Sequence, residues 1–64
     1  MAKIGDKIKI VNTTHYKAKK GKVYIIVNKY FDFENDRTIY LASENKERNY
    51  EIELTEKDFI VVTD

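Results

Sequence analysis

Four lysines stand close together around one glycine in the segment HYKAKKGKV, residues 15–23. They are Lys17, Lys19, Lys20 and Lys22. A lysine that neutralises a phosphate releases counterions, so a cluster of this kind is typical of a surface that holds a nucleic-acid backbone or an acidic protein. The alternative is a well-solvated loop between two strands, in which the lysines contact only water.

Tyrosines accompany the lysines. Tyr16 precedes them and Tyr24 follows, while Tyr40 is expected on a later strand. We expect Tyr24 and Tyr40 to face outward if the residues Val23, Ile25, Ile39 and Leu41 face the core. An exposed ring beside lysines can stack on a base, which is worth about 1–3 kcal/mol per base. The alternative is that these tyrosines pack in a second small core under the first loop.

The other polar residues form no set that predicts catalysis or metal binding. His15 is the one histidine, and no nucleophile or orienting acid accompanies it in the sequence. The acids of segment 32–36 are spaced like the start of a calcium loop, but Arg37 and Ser43 stand where that loop needs glycine and glutamate. Without cysteine there is no disulfide and no thiolate ligand. We therefore expect a protein that is not an enzyme and has no cofactor and no metal.

The charges are distributed unevenly along the chain. Residues 1–30 carry eight lysines and one aspartate, a net charge of +7. Residues 31–64 carry two lysines, two arginines and ten acids, a net charge of −6. Such a division predicts a partner on one face. The alternative is that the two halves neutralise each other across neighbouring strands.

Alternation of apolar and polar residues predicts strands throughout. We expect strands at 7–11, from 22 to 27 or as far as 31, at 38–43, around 50–54 and at 59–62. Gly21 is expected to serve the turn into the second strand, where a positive φ is needed. Thr55 to Asp58 resembles a capping box and predicts a single helical turn before the last strand.

Size and composition set the remaining expectations. The chain of 64 residues is expected to form one domain, residues 1–64. No stretch approaches the roughly 20 apolar residues of a membrane span, and the opening MAKIGDKIKI has no apolar core of signal-peptide length. We therefore expect a soluble cytoplasmic protein without a membrane partner.

Three segments together resemble the SH3-like small β-barrels of the KOW type. They are the entering strand Gly5–Ile10, the basic loop with its glycine and valine at 15–23, and the closing segment Leu54–Val61. The resemblance implies an all-β, five-stranded SH3-like barrel over nearly the whole chain, with one short 3₁₀ turn before the last strand. It also implies association with nucleic acid. The chain departs from the KOW pattern at Ala18, where these sequences usually carry a second glycine.

These observations predict a non-enzymatic binding module. Its basic first loop is expected to contact a nucleic acid with weak sequence specificity, because the basic half has no arginine to read guanine in bidentate fashion. The alternative is a protein–protein interaction module, either an accessory subunit or a small inhibitor or regulator such as a phage gene encodes. The residues assigned to the contact are Tyr16, Lys17, Lys19, Lys20, Lys22, Tyr24 and Tyr40.

Overall fold

The computed structural model describes residues 2–12, 18–45 and 52–62. These residues form five antiparallel strands in one sheet of order β4-β3-β2-β1-β5. The predicted all-β class with five strands is therefore confirmed. The strands are β1 (Lys7–Ile10), β2 (Val23–Asp32), β3 (Arg37–Ser43), β4 (Ile52–Leu54) and β5 (Phe59–Val61).

Strands β1 and β4 have one buried and one exposed face, as their alternating sequences predict. Ile8 and Ile10 are buried, while the lysines between them are exposed. In β4, Ile52 and Leu54 are buried on either side of the exposed Glu53. These side chains join one hydrophobic core, composed of Ala2, Ile8, Ile10, Ala18, Tyr24, Ile26, Tyr40, Ala42, Ile52, Leu54 and Phe59.

The expected orientation of β2 is wrong. Tyr24 is 2% exposed and lies in the core, whereas Val23 is 45% exposed. Apolar residues occupy both faces of the strand, so the alternation alone does not choose the inner face. The pairing with β1 does: Tyr24 lies opposite the buried Ile8, and residues directly opposite each other share a face of the sheet.

A bulge divides β2 into two parts. Ile26 pairs with Ala42 and Asn28 pairs with Leu41, so Val27 is the extra residue. Before the bulge the even-numbered residues of β2 face the core, and beyond it the odd-numbered residues do. Lys29 therefore lies opposite the buried Tyr40. The Nζ atom of Lys29 donates to the carbonyl oxygen of Ala2 at 3.4 Å.

The expected helical turn before β5 is wrong, because Thr55 to Asp58 form a turn without a helix. The amide of Asp58 donates to the carbonyl of Thr55 at 2.9 Å. The Asp58 carboxylate in turn accepts from the amide of Thr55 at 2.9 Å and from its hydroxyl at 3.2 Å. The acid thus makes the return bond of a capping box, but Phe59 enters β5 immediately and no helix can follow.

The short connection between β4 and β5 curls the sheet. These strands lie at opposite edges, which in a flat five-stranded sheet are about 19 Å apart. Only residues 55–58 join them, and a hydrogen bond folds those residues into a turn. No ladder joins β4 to β5 within the described residues, so the predicted closure into a barrel is not observed there.

Candidate functional site

The turn before β2 is attached to the end of β1 by backbone hydrogen bonds. The amide of Lys22 closes the turn on the carbonyl of Lys19 at 3.1 Å. Gly21 donates to the carbonyl of Ile10 at 2.8 Å, and Ile10 donates to the carbonyl of Lys22 at 3.0 Å. Gly21 has φ +88°, so the expectation of a positive φ is confirmed. This residue holds the basic turn against β1.

A further exposed lysine, Lys9, lies on β1. Its side chain is exposed, and its partners in the sheet are Val23 on β2 and Ile60 on β5. The residues directly opposite Lys9 in the sheet are therefore apolar and not acidic. The alternation of β1 predicts that Lys9 faces outward, but it does not assign Lys9 to the contact, because the pairing with Val23 and Ile60 is tertiary information. We call the exposed lysines Lys9, Lys19 and Lys20 the basic surface. Lys22 is left out because it lies opposite Ile10, on the other face of the sheet from Lys9.

Lys22 of the turn has an acidic partner. Its ammonium group forms an ion pair with Glu44. The same nitrogen lies 5.6 Å from the centre of the Tyr24 ring, within range of a cation–π contact. Here the two halves of the chain do neutralise each other. Lys19 and Lys20 are exposed on the preceding residues of the turn.

The expectation that Tyr24 and Tyr40 face outward is wrong. Tyr24 is 2% exposed and Tyr40 is fully buried, and both belong to the main core rather than to a second small one. Neither ring offers a face on which a base could stack. The predicted contact residues Tyr16 and Lys17, like His15, lie outside the described residues.

Tyr40 has a structural role that its type alone does not reveal. Its ring packs edge-on against that of Phe59, with centroids 5.2 Å apart, and its hydroxyl donates to Glu56 Oε1 at 2.7 Å. Burial and the bond to the Glu56 carboxylate raise the pKa of Tyr40 to about 12. Tyr40 therefore connects β3 to β5 and to the turn between β4 and β5.

Ala18 marks the departure from the KOW pattern, and the structure accounts for it. Its side chain is 3% exposed and belongs to the hydrophobic core. Among the described residues a positive φ occurs only at Gly5, Gly21 and Asp36. A small apolar residue therefore fits position 18, where the backbone does not require glycine.

The exposed aromatic rings lie at the other end of β2, in the β2–β3 hairpin. Tyr30 is 50% exposed, Phe31 is 44% exposed and Phe33 is 87% exposed. The rings of Phe31 and Phe33 meet edge to face, with centroids 4.9 Å apart. These residues were not predicted as a site from the sequence, although aromatic and acidic residues follow each other closely there. We call residues 30–37 the hairpin tip.

Asp32 organises the turn of the hairpin tip. Its carboxylate accepts from the amide of Glu34 at 3.1 Å and from the Asn35 side chain at 2.8 Å, and Arg37 lies 3.6 Å away. The hydrogen bond from the Asn35 side chain is the main reason that the pKa of Asp32 is below its usual value. Asp36 completes the turn with φ +52°. The acids at 32–36 thus shape a turn.

Two open grooves of about 690 and 720 Å³ lie beside the turn between β4 and β5. The first is lined by Asn12, Arg37, Ile39, Glu53, Leu54, Thr55, Lys57 and Asp58. The Asp58 carboxylate in its wall already accepts the two hydrogen bonds from Thr55. The described linings contain no histidine and no serine or cysteine nucleophile.

The described part of the chain contains neither a metal-binding cluster nor a membrane-spanning helix. No group of three or more His, Cys, Asp or Glu side chains is placed to hold a metal ion. Among residues 2–12, 18–45 and 52–62 there is also no helix of the length and apolarity that crossing a membrane requires.

Comparison with protein-family models, with curated proteins and with solved structures finds no match for the chain. The fold and the exposed side chains are therefore the basis for any inference about function.

Proposed function

We propose that this chain is a non-catalytic binding module whose basic surface holds a nucleic-acid backbone. The observation that carries the proposal is the attachment of the lysine turn to β1 through Gly21 and Ile10. Lys19 and Lys20 belong to the turn that is fixed at the end of β1, and the cross-strand partners of the exposed Lys9 on that strand are apolar. Separate segments of the chain thereby contribute to one cationic surface.

The SH3-like barrel of the KOW type is part of this proposal. The strand order β4-β3-β2-β1-β5, the four-residue turn between the two edge strands and the positive φ of Gly21 support it.

The binding would depend on phosphates rather than bases. The burial of Tyr24 and Tyr40 removes two of the three stacking candidates, and the basic half has no arginine. With about three phosphate contacts, the slope of log K against log salt is about −2.7 for duplex DNA. The affinity should then fall roughly 40-fold between about 50 and about 200 mM salt.

The test is fluorescence anisotropy with labelled duplex DNA and single-stranded RNA at these two salt concentrations. The double variant Lys19→Ala/Lys20→Ala and the single variant Lys9→Ala should each weaken binding of every sequence to a similar degree and flatten the salt dependence. Lys57→Ala is the matched control, because it removes an exposed lysine from the turn between β4 and β5. No binding at low salt, or equal losses for Lys57→Ala and Lys9→Ala, would contradict the proposal.

A second candidate function is a protein–protein interaction module, either an accessory subunit or a small inhibitor or regulator of the phage type. The exposed aromatic rings favour it. They lie beside carboxylates at the hairpin tip, about nine residues along β2 from the lysine turn. A nucleic acid bound at the basic surface would not use these rings.

A further inference from the structure

We propose that the hairpin tip is a docking site for a folded protein that offers an apolar pocket with a rim of lysine or arginine. This inference gives the second candidate function a site and a class of partner. It does not depend on the basic surface, because the two lie at opposite ends of β2.

The first argument is the exposure of the rings. Phe33 is 87% exposed, and the ring of Phe31 contacts it only edge to face. Burying a phenylalanine side chain stabilises a fold by about 1.5–3 kcal/mol. A chain of 64 residues has little stability to spare, yet it leaves the rings of Phe31 and Phe33 accessible to solvent. Large exposed aromatic groups with polar neighbours are typical of interaction sites.

The second argument is the arrangement of the rings around the hairpin. Tyr30 pairs with Ile39 and Phe31 pairs with Thr38, so these neighbours point to opposite faces of the ribbon. Phe33 projects from the turn at its end. The tip therefore presents aromatic surface on both faces and at the end, a shape suited to insertion into a pocket rather than to a flat contact.

The third argument is that the turn is already ordered. The Asp32 carboxylate binds the amide of Glu34 and the side chain of Asn35, and the two strands pair as far as Asp32 and Arg37. A partner would therefore not need to order this segment on binding. Preorganisation of this kind raises affinity by lowering the entropy lost in the complex.

The charge of the tip selects the class of partner. Asp32, Glu34 and Asp36 against Arg37 leave a net charge of −2, three acids less one base. This charge repels nucleic acids and anionic membranes and attracts cationic groups. A protein pocket with an apolar floor and a lysine or arginine rim complements both the rings and the carboxylates.

The experiment begins with the full chain carrying a photo-crosslinking phenylalanine analogue at position 33, used in lysate of the source cells. A second preparation carries the analogue at position 60, where Ile60 is 53% exposed on β5. A protein crosslinked from position 33 and not from position 60 is identified by mass spectrometry and purified. Its affinity for the unlabelled chain is then measured by calorimetry.

The proposal expects Phe33→Ser and Phe31→Ser each to weaken binding of the purified protein at least about tenfold, as interface aromatic anchors do. Ile60→Ser and Lys19→Ala/Lys20→Ala should leave the affinity unchanged. Raising the salt concentration should slow association, because the tip and the pocket rim carry opposite charges. Circular dichroism should show unchanged folding of Phe33→Ser, since the native ring is almost fully exposed.

Three results would overturn the proposal. One is the absence of a specific crosslink from position 33, and another is an affinity that Phe33→Ser does not change. The third is a crosslink to a second copy of this chain, together with a dimer in sedimentation that Phe33→Ser dissociates. DNA binding by Phe33→Ser distinguishes the two proposals. If this variant still binds DNA, failure of the docking site leaves the proposal for the basic surface intact.

Discussion

The hydroxyl of Tyr40 donates a hydrogen bond to a carboxylate oxygen of Glu56 across 2.7 Å. Tyr40 lies on the central part of β3, and Glu56 lies in the turn that leads into β5. A residue that sequence analysis assigned to partner contact is therefore an anchor between the sheet and its closing turn. A tyrosine fits this position because its ring fills the core while its hydroxyl reaches the carboxylate at the surface.

Replacing Tyr40 by phenylalanine should lower the free energy of unfolding by about 1 kcal/mol, the usual net contribution of one hydrogen bond. The ring and its contact with Phe59 remain in this variant. Urea denaturation would measure the change. Tyr30→Phe is the matched control, because Tyr30 is half exposed, and its effect should stay within about 0.5 kcal/mol. Equal effects of the two variants would contradict the anchoring role.

The titration of Tyr40 provides a second test. Its pKa is raised from 10.0 to about 12, because burial and the Glu56 carboxylate disfavour the phenolate. The folded state holds this proton more tightly than the unfolded state. The contribution to stability is thus complete below pH 10.0 and is lost as the pH rises toward about 12. Absorbance of the phenolate should show a component that ionises at about pH 12, and this component should be missing in Tyr40→Phe.

Asp58 should be among the polar residues most sensitive to substitution. Its carboxylate is buried and accepts two hydrogen bonds from Thr55, and its carbonyl accepts from Val11 and Asn12 of the segment after β1. Asp58→Ala should destabilise the fold by about 1–3 kcal/mol, because it leaves the amide of Thr55 without its partner.

The neighbouring residue supplies the control for Asp58. Lys57 contributes its backbone carbonyl to the side chain of Asn12 at 2.9 Å, and Lys57→Ala keeps that carbonyl. Its unfolding midpoint in urea should therefore remain close to that of the wild type. A midpoint for Asp58→Ala as high as that of Lys57→Ala would show that the turn does not depend on the carboxylate.

Gly21→Ala should cost about 1–2 kcal/mol, the penalty for placing an L-residue in the left-handed region. Apart from the glycine's two chain neighbours, no atom of the described residues lies within 4 Å of a Cβ added here, so the loss would come from the backbone at φ +88°. Gly21→Asn should cost less, because asparagine tolerates this conformation. Thermal unfolding of the two variants would measure the difference, and a larger loss for asparagine would contradict it.

The pKa of Asp32 should depend on Asn35 more than on Arg37. The hydrogen bond from the Asn35 side chain is the main cause of the lowered pKa, and the charge of Arg37 is a smaller one. NMR titration should therefore show a larger upward shift in Asn35→Ala than in Arg37→Ala. Because the folded pKa is lowered, the contribution of Asp32 is complete above about 3.8 and is lost as the pH falls through the folded value.

The strands could be predicted from the sequence because β1 and β4 alternate cleanly between apolar and charged residues. The orientation of β2 could not be predicted, since residues 23–27 are apolar or aromatic on both faces and either face could have packed inward. The bulge at Val27 has no signature that period-two counting detects, yet it reverses the inward phase for the remainder of the strand. The turn at 55–58 has the residues of a capping box, but β5 follows too soon for a helix.

The sequence predicts the lysines of the turn as part of the basic surface, but it does not predict Lys9. The cluster of lysines around Gly21 is visible in the printed sequence, whereas the apolar surroundings of Lys9 depend on how β1 pairs with β2 and with β5. The exposure of Phe31 and Phe33 was equally hidden, because an aromatic residue in a strand is usually part of the core. Only the register of the hairpin shows that these rings lie beyond the buried part of the sheet.

The sequence by itself determined the local properties of this protein: strands where alternation is clean, a turn at Gly21, and a basic first half against an acidic second half. These features depend on interactions between near neighbours in the chain. Tertiary structure decided which face of β2 is buried, that Tyr40 is an anchor, and which charges and rings share a surface. Those outcomes depend on strand register and on one bulge, which contacts between distant residues set.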